Sequence, residues 1–244
     1  MTKCNYECAT EETAPDVLEF VGPVKIILVD QTKTAYACKT CYAAMIVMAQ
    51  MLMATSTIIV MLFSLSYKKS TCYKALHIFL CTVGLQTIIP SGILSLNKSN
   101  GSSAPMKQSD RKFEHIFMQC FGSSCAISGA IATYFASFPY IFTLHSYFGL
   151  AATGFAILCP CTGLWICWFS SKPSPHKEYE RYRRLIYNIH KLFGVLTVLL
   201  SSVCFVSGLI KSPFLKWLPL DEMFYLTTMF CVFYTLVIIY KPLK

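Results

Sequence analysis

Charge is what this chain has least of. Asp, Glu, Lys and Arg make up 14% of its 244 residues, against roughly a quarter in an ordinary soluble domain. Apolar residues make up 55% and are blocked into long runs, each of the length that crosses a bilayer. These runs commit almost the whole chain to the membrane and leave no room for a second, soluble domain of useful size. Acid is scarcer than base, with 12 Asp and Glu against 21 Lys and Arg. The excess of base does not indicate nucleic acid, because it sits in the short segments between apolar runs, where membrane topology puts it. The first 37 residues lack an apolar core with a cleavage site, so no cleavable signal peptide is expected. Their one short apolar stretch is Val24 to Val29. Only three tryptophans occur, and Trp165, Trp168 and Trp217 all fall near the ends of runs, as interfacial aromatics do.

Cysteine, by contrast, is plentiful. Many of the thirteen lie inside apolar runs, where a thiol behaves as a small hydrophobe. Cys38 and Cys41 form a C-x-x-C, but no second pair or nearby histidine completes the four ligands of a zinc site. A C-x-x-C-H for covalent haem attachment is also missing.

The apolar runs predict six spans, at about 41–66, 75–96, 113–137, 141–167, 185–210 and 223–240, with Pro90 interrupting the second and a tight turn at Pro139. The expected fold is all-α, an integral membrane six-helix bundle following a tail over residues 1–37, with residues 38–244 as one domain. With the N-terminus in the cytosol, 16 of the 21 Lys and Arg fall on the cytosolic side, so both termini are expected there. The sequons at Asn97 and Asn100 oppose this, because they lie in a loop assigned to the cytosol, where no glycan is added.

Histidine is rare, and its placement is the informative feature. Of five histidines, four (His77, His115, His145 and His190) sit in the first turns of spans two to five; only His176 is in a loop. Alternating topology places His77 and His145 near the outer face and His115 and His190 near the inner face, in two layers roughly 20 Å apart. Two neutral imidazoles facing each other suit a six-coordinate haem iron, which has no open position and so serves electron transfer. Gly84, Gly122, Gly149 and Gly194 follow the four histidines by seven or four residues, on the same helical faces. There they would leave flat surfaces for a macrocycle. The competing reading is a haem-free multi-span transporter or membrane scaffold in which the histidines and glycines only pack helices.

Leu144-His145-Ser146-Tyr147-Phe148-Gly149-Leu150 resembles the "LHSWxGL" motif of the cytochrome b-561 family, with Tyr147 in place of tryptophan. Ile189-His190-Lys191-Leu192-Phe193-Gly194 is similar to its "HxxxG" motif on the next helix. Lys112-Phe113-Glu114-His115 with Gln119 is similar to the start of the preceding helix in short, domain-only members. The "HP" often found at the first ligand is missing at His77. The resemblance covers about residues 75–210, the expected four-helix haem core. It implies two haem b per chain, one between His77 and His145 and one between His115 and His190. It also implies a transmembrane oxidoreductase, commonly a homodimer, that passes electrons from cytosolic ascorbate to monodehydroascorbate or ferric iron, with no catalytic side chain beyond the haem ligands. An endomembrane or vesicle membrane is the expected location. Ascorbate is an anion, so its site should be basic. Arg111, Lys112, Arg184 and Lys191, beside the inner histidines, are the candidates. The positive-inside rule would place charge there as well. At the outer mouth only Lys68, Lys69 and Lys74 are present.

Overall fold

The computed structural model describes residues 32–68, 71–136, 143–170 and 177–243. The turn expected at Pro139, the loop histidine His176, Lys69 and the stretch from Val24 to Val29 lie outside the described residues. Among the described residues seven helices follow in order: α1 Lys33–Leu65, α2 Cys72–Ser95, α3 Gln108–Phe135, α4 Leu144–Ser170, α5 Lys177–Leu209, the short α6 Ser212–Trp217 and α7 Glu222–Leu243. All but α6 are long and apolar enough to cross a membrane, so the bundle is a six-span helical membrane protein. Large apolar side chains on its outside, Leu150, Tyr134 and Val232 among them, are exposed, as the lipid-facing surface of a bundle should be.

Several helices outrun the spans expected from hydropathy. The 33 residues of α1 make a helix about 50 Å long, against a hydrocarbon core of about 30 Å. Its first two turns are exposed. The helix begins at Thr32, whose hydroxyl accepts from the Ala35 amide at 3.4 Å, a standard N-cap. Hydropathy marks where lipid ends, whereas backbone hydrogen bonding carries the helix on into water.

Inside the bundle, α2 pairs with α3 and α4 with α5, while α1 and α7 pack together against α2 and α5. The largest buried cluster joins α1, α5 and α7 through Ile46, Met53, Val60, Val198, Phe205, Tyr234 and Ile238. Lipid supplies no hydrophobic force between helices, so polar contacts and close packing must hold them. Three short bonds do so: Thr57 to Thr87 between α1 and α2 at 2.7 Å, Tyr234 Oη donating to Gln86 from α7 to α2 at 2.7 Å, and Ser202 to Thr235 between α5 and α7 at 2.7 Å. At one end, α6 buries Phe214 edge-on against Phe63, ring centres 5.1 Å apart.

Pro90 and Pro160 lie within spans, and each break is handled differently. Ahead of Pro90, α2 widens to π-helix over Thr82–Ile88, a device that adds one residue to the turn. In α4, Pro160 has no N–H to donate to the Ala156 carbonyl four residues back. Ser123 of α3 donates to that carbonyl at 2.7 Å instead, so the break becomes a tie between the two helix pairs.

The loop after α2 folds back on α1. The Asn97 amide donates to Tyr42 Oη at 3.0 Å and its carbonyl accepts from the Ser99 amide at 3.0 Å. Asn100 accepts from Gln50 at 3.3 Å and donates to the Leu94 carbonyl at 3.3 Å. Both asparagines are buried. A glycan needs an exposed amide nitrogen, whereas both side-chain amides here donate to partners inside the fold. Treatment with a glycosidase should leave the protein's mobility unchanged. Asn97→Ala should lower thermal stability in detergent by about 1–3 kcal/mol, since it leaves buried partners unpaired; a glycan at Asn97 would overturn this account.

Candidate functional site: two facing imidazole pairs

The four helix-borne histidines meet in the two pairs expected. The rings of His77 and His145 lie 6.2 Å apart, centre to centre, with planes at 89°. Those of His115 and His190 lie 6.1 Å apart, at 83°. Each pair joins one helix of α2/α3 to one of α4/α5.

Every ring is anchored in the same way. His77 Nδ1 lies 2.9 Å from the Gly129 carbonyl and His115 Nδ1 lies 2.6 Å from the Gly92 carbonyl. His145 Nδ1 lies 3.0 Å from the Cys204 carbonyl and His190 Nδ1 lies 3.0 Å from the Cys159 carbonyl. A carbonyl can only accept, so each Nδ1 carries the proton and each neutral ring keeps the Nε2 lone pair for a metal. A carbonyl partner on the far nitrogen is the usual second contact of a metal-bound histidine. The anchors are reciprocal: α2 and α3 hold each other's histidines, and so do α4 and α5.

Reciprocity needs matched spacing along antiparallel helices. Fourteen residues separate His115 from Gly129, His145 from Cys159 and His190 from Cys204, a rise of about 21 Å and the distance between the two layers. On α2 the corresponding interval, His77 to Gly92, is fifteen residues. The π-helical turn over Thr82–Ile88 lies within it and absorbs the extra residue. On α4 and α5 the match extends to a repeat, His-x3-Gly-x9-Cys-x3-Gly, read as His145, Gly149, Cys159, Gly163 and again as His190, Gly194, Cys204, Gly208.

The start of α4 is fixed locally. The Thr143 amide donates to Ser146 Oγ at 2.8 Å and the Ser146 amide donates back to Thr143 Oγ1 at 3.4 Å. This reciprocal cap sets the first turn, which carries His145.

The glycines divide by role. Gly84 and Gly122 face each other where α2 crosses α3: a Cβ on Gly84 would stand 2.6 Å from the Gly122 carbonyl oxygen, and one on Gly122 would stand 2.7 Å from Ile89 Cγ1. Their missing side chains let α2 and α3 pack this closely. Gly149 and Gly194 are looser, each nearest a cysteine sulfur, at 3.2 Å and 3.8 Å. Gly163 and Gly208 were not singled out from the sequence, yet they touch the histidines themselves. A Cβ on Gly163 would lie 3.1 Å from His190 Cε1, and one on Gly208 the same distance from His145 Cε1. Helical Cα–Cβ bonds tilt toward the N-terminus, so the residue four positions on overhangs a carbonyl. Glycine there opens the Cys159 and Cys204 carbonyls to an imidazole.

Sulfur also borders these rings. Cys81 and Cys204 lie 3.5 Å from the Nδ1 atoms of His77 and His145, and Cys159 lies 3.6 Å from that of His190. Thr162 Oγ1 is 3.2 Å from His190 Nδ1. Beside His115 the corresponding residue is Gln119, which donates to the Ile89 carbonyl at 2.9 Å.

Among the described residues no group of three or more His, Cys, Asp or Glu is placed to hold a bare metal ion. Two facing imidazoles therefore suit a metal that brings its own equatorial ligands, as haem iron does. An imidazole nitrogen binds a metal at about 2 Å with the ring centre about 1 Å behind it, so two trans rings on one iron stand about 6 Å apart. Both pairs meet that spacing, and the residues fit the group.

Of the basic candidates beside His115 and His190, Lys112 and Arg184 are exposed and Lys191 is half-buried, whereas Arg111 is buried. At the other pair Lys211 Nζ reaches Thr143 Oγ1 at 3.4 Å, close to His145.

Such a site on such a fold defines a transmembrane haem cytochrome. The family model of eukaryotic cytochrome b561 matches residues 76–216, so the chain belongs to that family of haem-b-binding transmembrane oxidoreductases. No curated protein and no solved structure matches it.

Proposed function

We propose that the chain is a di-haem electron carrier that oxidises cytosolic ascorbate and reduces monodehydroascorbate or ferric iron on the opposite side of the membrane. The observation that carries this reading is the presence of two complete imidazole pairs, each 6.1–6.2 Å across and each with its Nδ1 protons spent on backbone carbonyls. One pair alone would give a redox site on one side; two stacked pairs give a path. Haem, when bound, supplies the reversible one-electron couple, and no side chain need do so.

The residues do the rest. His77 with His145, and His115 with His190, would hold the two haem irons through their Nε2 lone pairs, and iron held by two imidazoles would serve electron transfer. Gly149 and Gly194 lie one turn from their histidines and remain the candidates for the surface under each macrocycle. At the inner mouth, Lys112, Arg184 and Lys191 attract and orient the ascorbate anion beside the inner pair. Each ascorbate gives up one electron and one proton to become monodehydroascorbate. Both termini then face the cytosol, the membrane is that of an endomembrane compartment or vesicle, and the working form is a homodimer.

The test is a reduced-minus-oxidised spectrum of the purified full chain with ascorbate as reductant, together with a haem count. Two haems per chain and a six-coordinate b-type spectrum are expected. Arg184→Ala should slow reduction by ascorbate at unchanged haem content. A colourless protein would return the histidines to helix packing in a transporter or scaffold.

A further inference from the structure

Arg111 stands four residues before His115 on α3, so it shares that ligand's helical face one turn nearer the inner mouth. Its neighbours Lys112 and Phe113 are exposed, yet Arg111 itself is only 8% exposed. Its Nε is fully buried and has no hydrogen-bond partner. Among the described residues no carboxylate lies within ion-pair reach of it; the ion pair present there joins Arg183 to Glu180. A guanidinium keeps its charge at any ordinary pH, and a buried charged donor without an acceptor is costly. Glu114, three residues on, also buries Oε2 without a partner, so the two side chains sit one turn apart and do not pair.

We propose that Arg111 binds a propionate of the haem held between His115 and His190. This rests on reading that imidazole pair as a haem site. Haem b carries carboxylates at one edge, and a planar guanidinium fork is the donor best matched to a carboxylate. Arg111 therefore belongs to the cofactor, while exposed Lys112 beside it belongs to the donor.

The experiment uses the purified full chain and a spectroelectrochemical titration of both haems, with ascorbate kinetics alongside. The inner haem is identified as the one that survives in His145→Ala. A nearby cation favours the reduced form, so Arg111→Ala should move the inner midpoint potential to lower values and leave the outer one in place. Arg111→Lys keeps the charge but loses the fork, and should give a smaller shift of the same sign. If Arg111→Ala does not fold, Arg111→Lys decides, and an unmoved inner potential overturns the proposal. A raised KM for ascorbate at unchanged potentials would make Arg111 a donor-site residue. Recovery of the potential in Arg111→Ala with Glu114→Gln would reduce its role to neutralising Glu114. Wild-type protein without haem would sink the haem reading itself, a different result from two haems with an indifferent Arg111.

Discussion

His145→Ala should yield a protein with about half the haem of the wild type, still b-type and six-coordinate, and still reduced by ascorbate. The reason is the independence of the two imidazole pairs. His145 faces His77 at 6.2 Å, and its anchor is the Cys204 carbonyl on α5. The inner pair draws its anchors from Gly92 and Cys159, fourteen or so residues away along the same helices, about 20 Å. Haem b is held without covalent bonds, so losing one axial imidazole removes half of its ligation. His77→Ala should give the same product, and the two changes together should remove no more haem than either alone, because both act on one site. His115→Ala or His190→Ala should leave the complementary half, no longer close to the donor. His145→Ala combined with His115→Ala should be colourless. The measurement is haem per chain by pyridine haemochrome on purified variants. Additive loss from His77→Ala and His145→Ala would break the pairing that the geometry shows.

Much of this arrangement is legible in the residues alone. Six apolar runs announce the spans, and four histidines at the starts of four consecutive spans fall into two layers by topology. The anchors are less legible, because a backbone carbonyl has no residue signature. What could have revealed them is the spacing His-x3-Gly-x9-Cys-x3-Gly, repeated on α4 and α5. Eighteen residues, five helical turns, separate His145 from Gly163 and His190 from Gly208, so each histidine of α4 and α5 shares a face with the glycine that meets the other helix's histidine. On α3 the pattern is absent, with Gln119, Gly129 and Thr133 at the corresponding positions, and on α2 the π-helical turn shifts the interval by a residue, with nothing in the local composition of Thr82–Ile88 to mark it. The roles of Gly84 and Gly122 could not be separated from those of Gly149 and Gly194, because an offset from a histidine names a face and not what lies against it. Burial of Arg111 was equally hidden: in a run of Arg111 and Lys112, charge alone does not say which turns inward.

Glycine substitutions should separate the two roles with large and opposite signatures. Gly84→Ala places a methyl 2.6 Å from the Gly122 carbonyl oxygen and 3.0 Å from the Ala126 nitrogen. Backbone cannot step aside as a flexible side chain can, so α2 and α3 must separate. These two helices hold each other's histidines, through Gly129 for His77 and Gly92 for His115, so parting them disturbs both pairs at once. Overpacking of this kind costs typically 1–3 kcal/mol and more where backbone is forced, and the expected outcome is loss of both haems with a lowered thermal midpoint. Gly208→Val acts on one site. Its Cβ would stand 3.1 Å from His145 Cε1 and 3.3 Å from Nδ1, and the added methyls would push the ring off the Cys204 carbonyl while the α4–α5 backbones stay in register. The outer haem should be lost and the inner one kept, so that Gly208→Val reproduces His145→Ala, and Gly163→Val, against His190, reproduces His190→Ala. Haem counts and melting curves on the three variants decide the matter. Equal loss of both haems in Gly208→Val would mean that the glycine spaces whole helices, and retention of both haems in Gly84→Ala would mean that the α2–α3 crossing does not position the ligands.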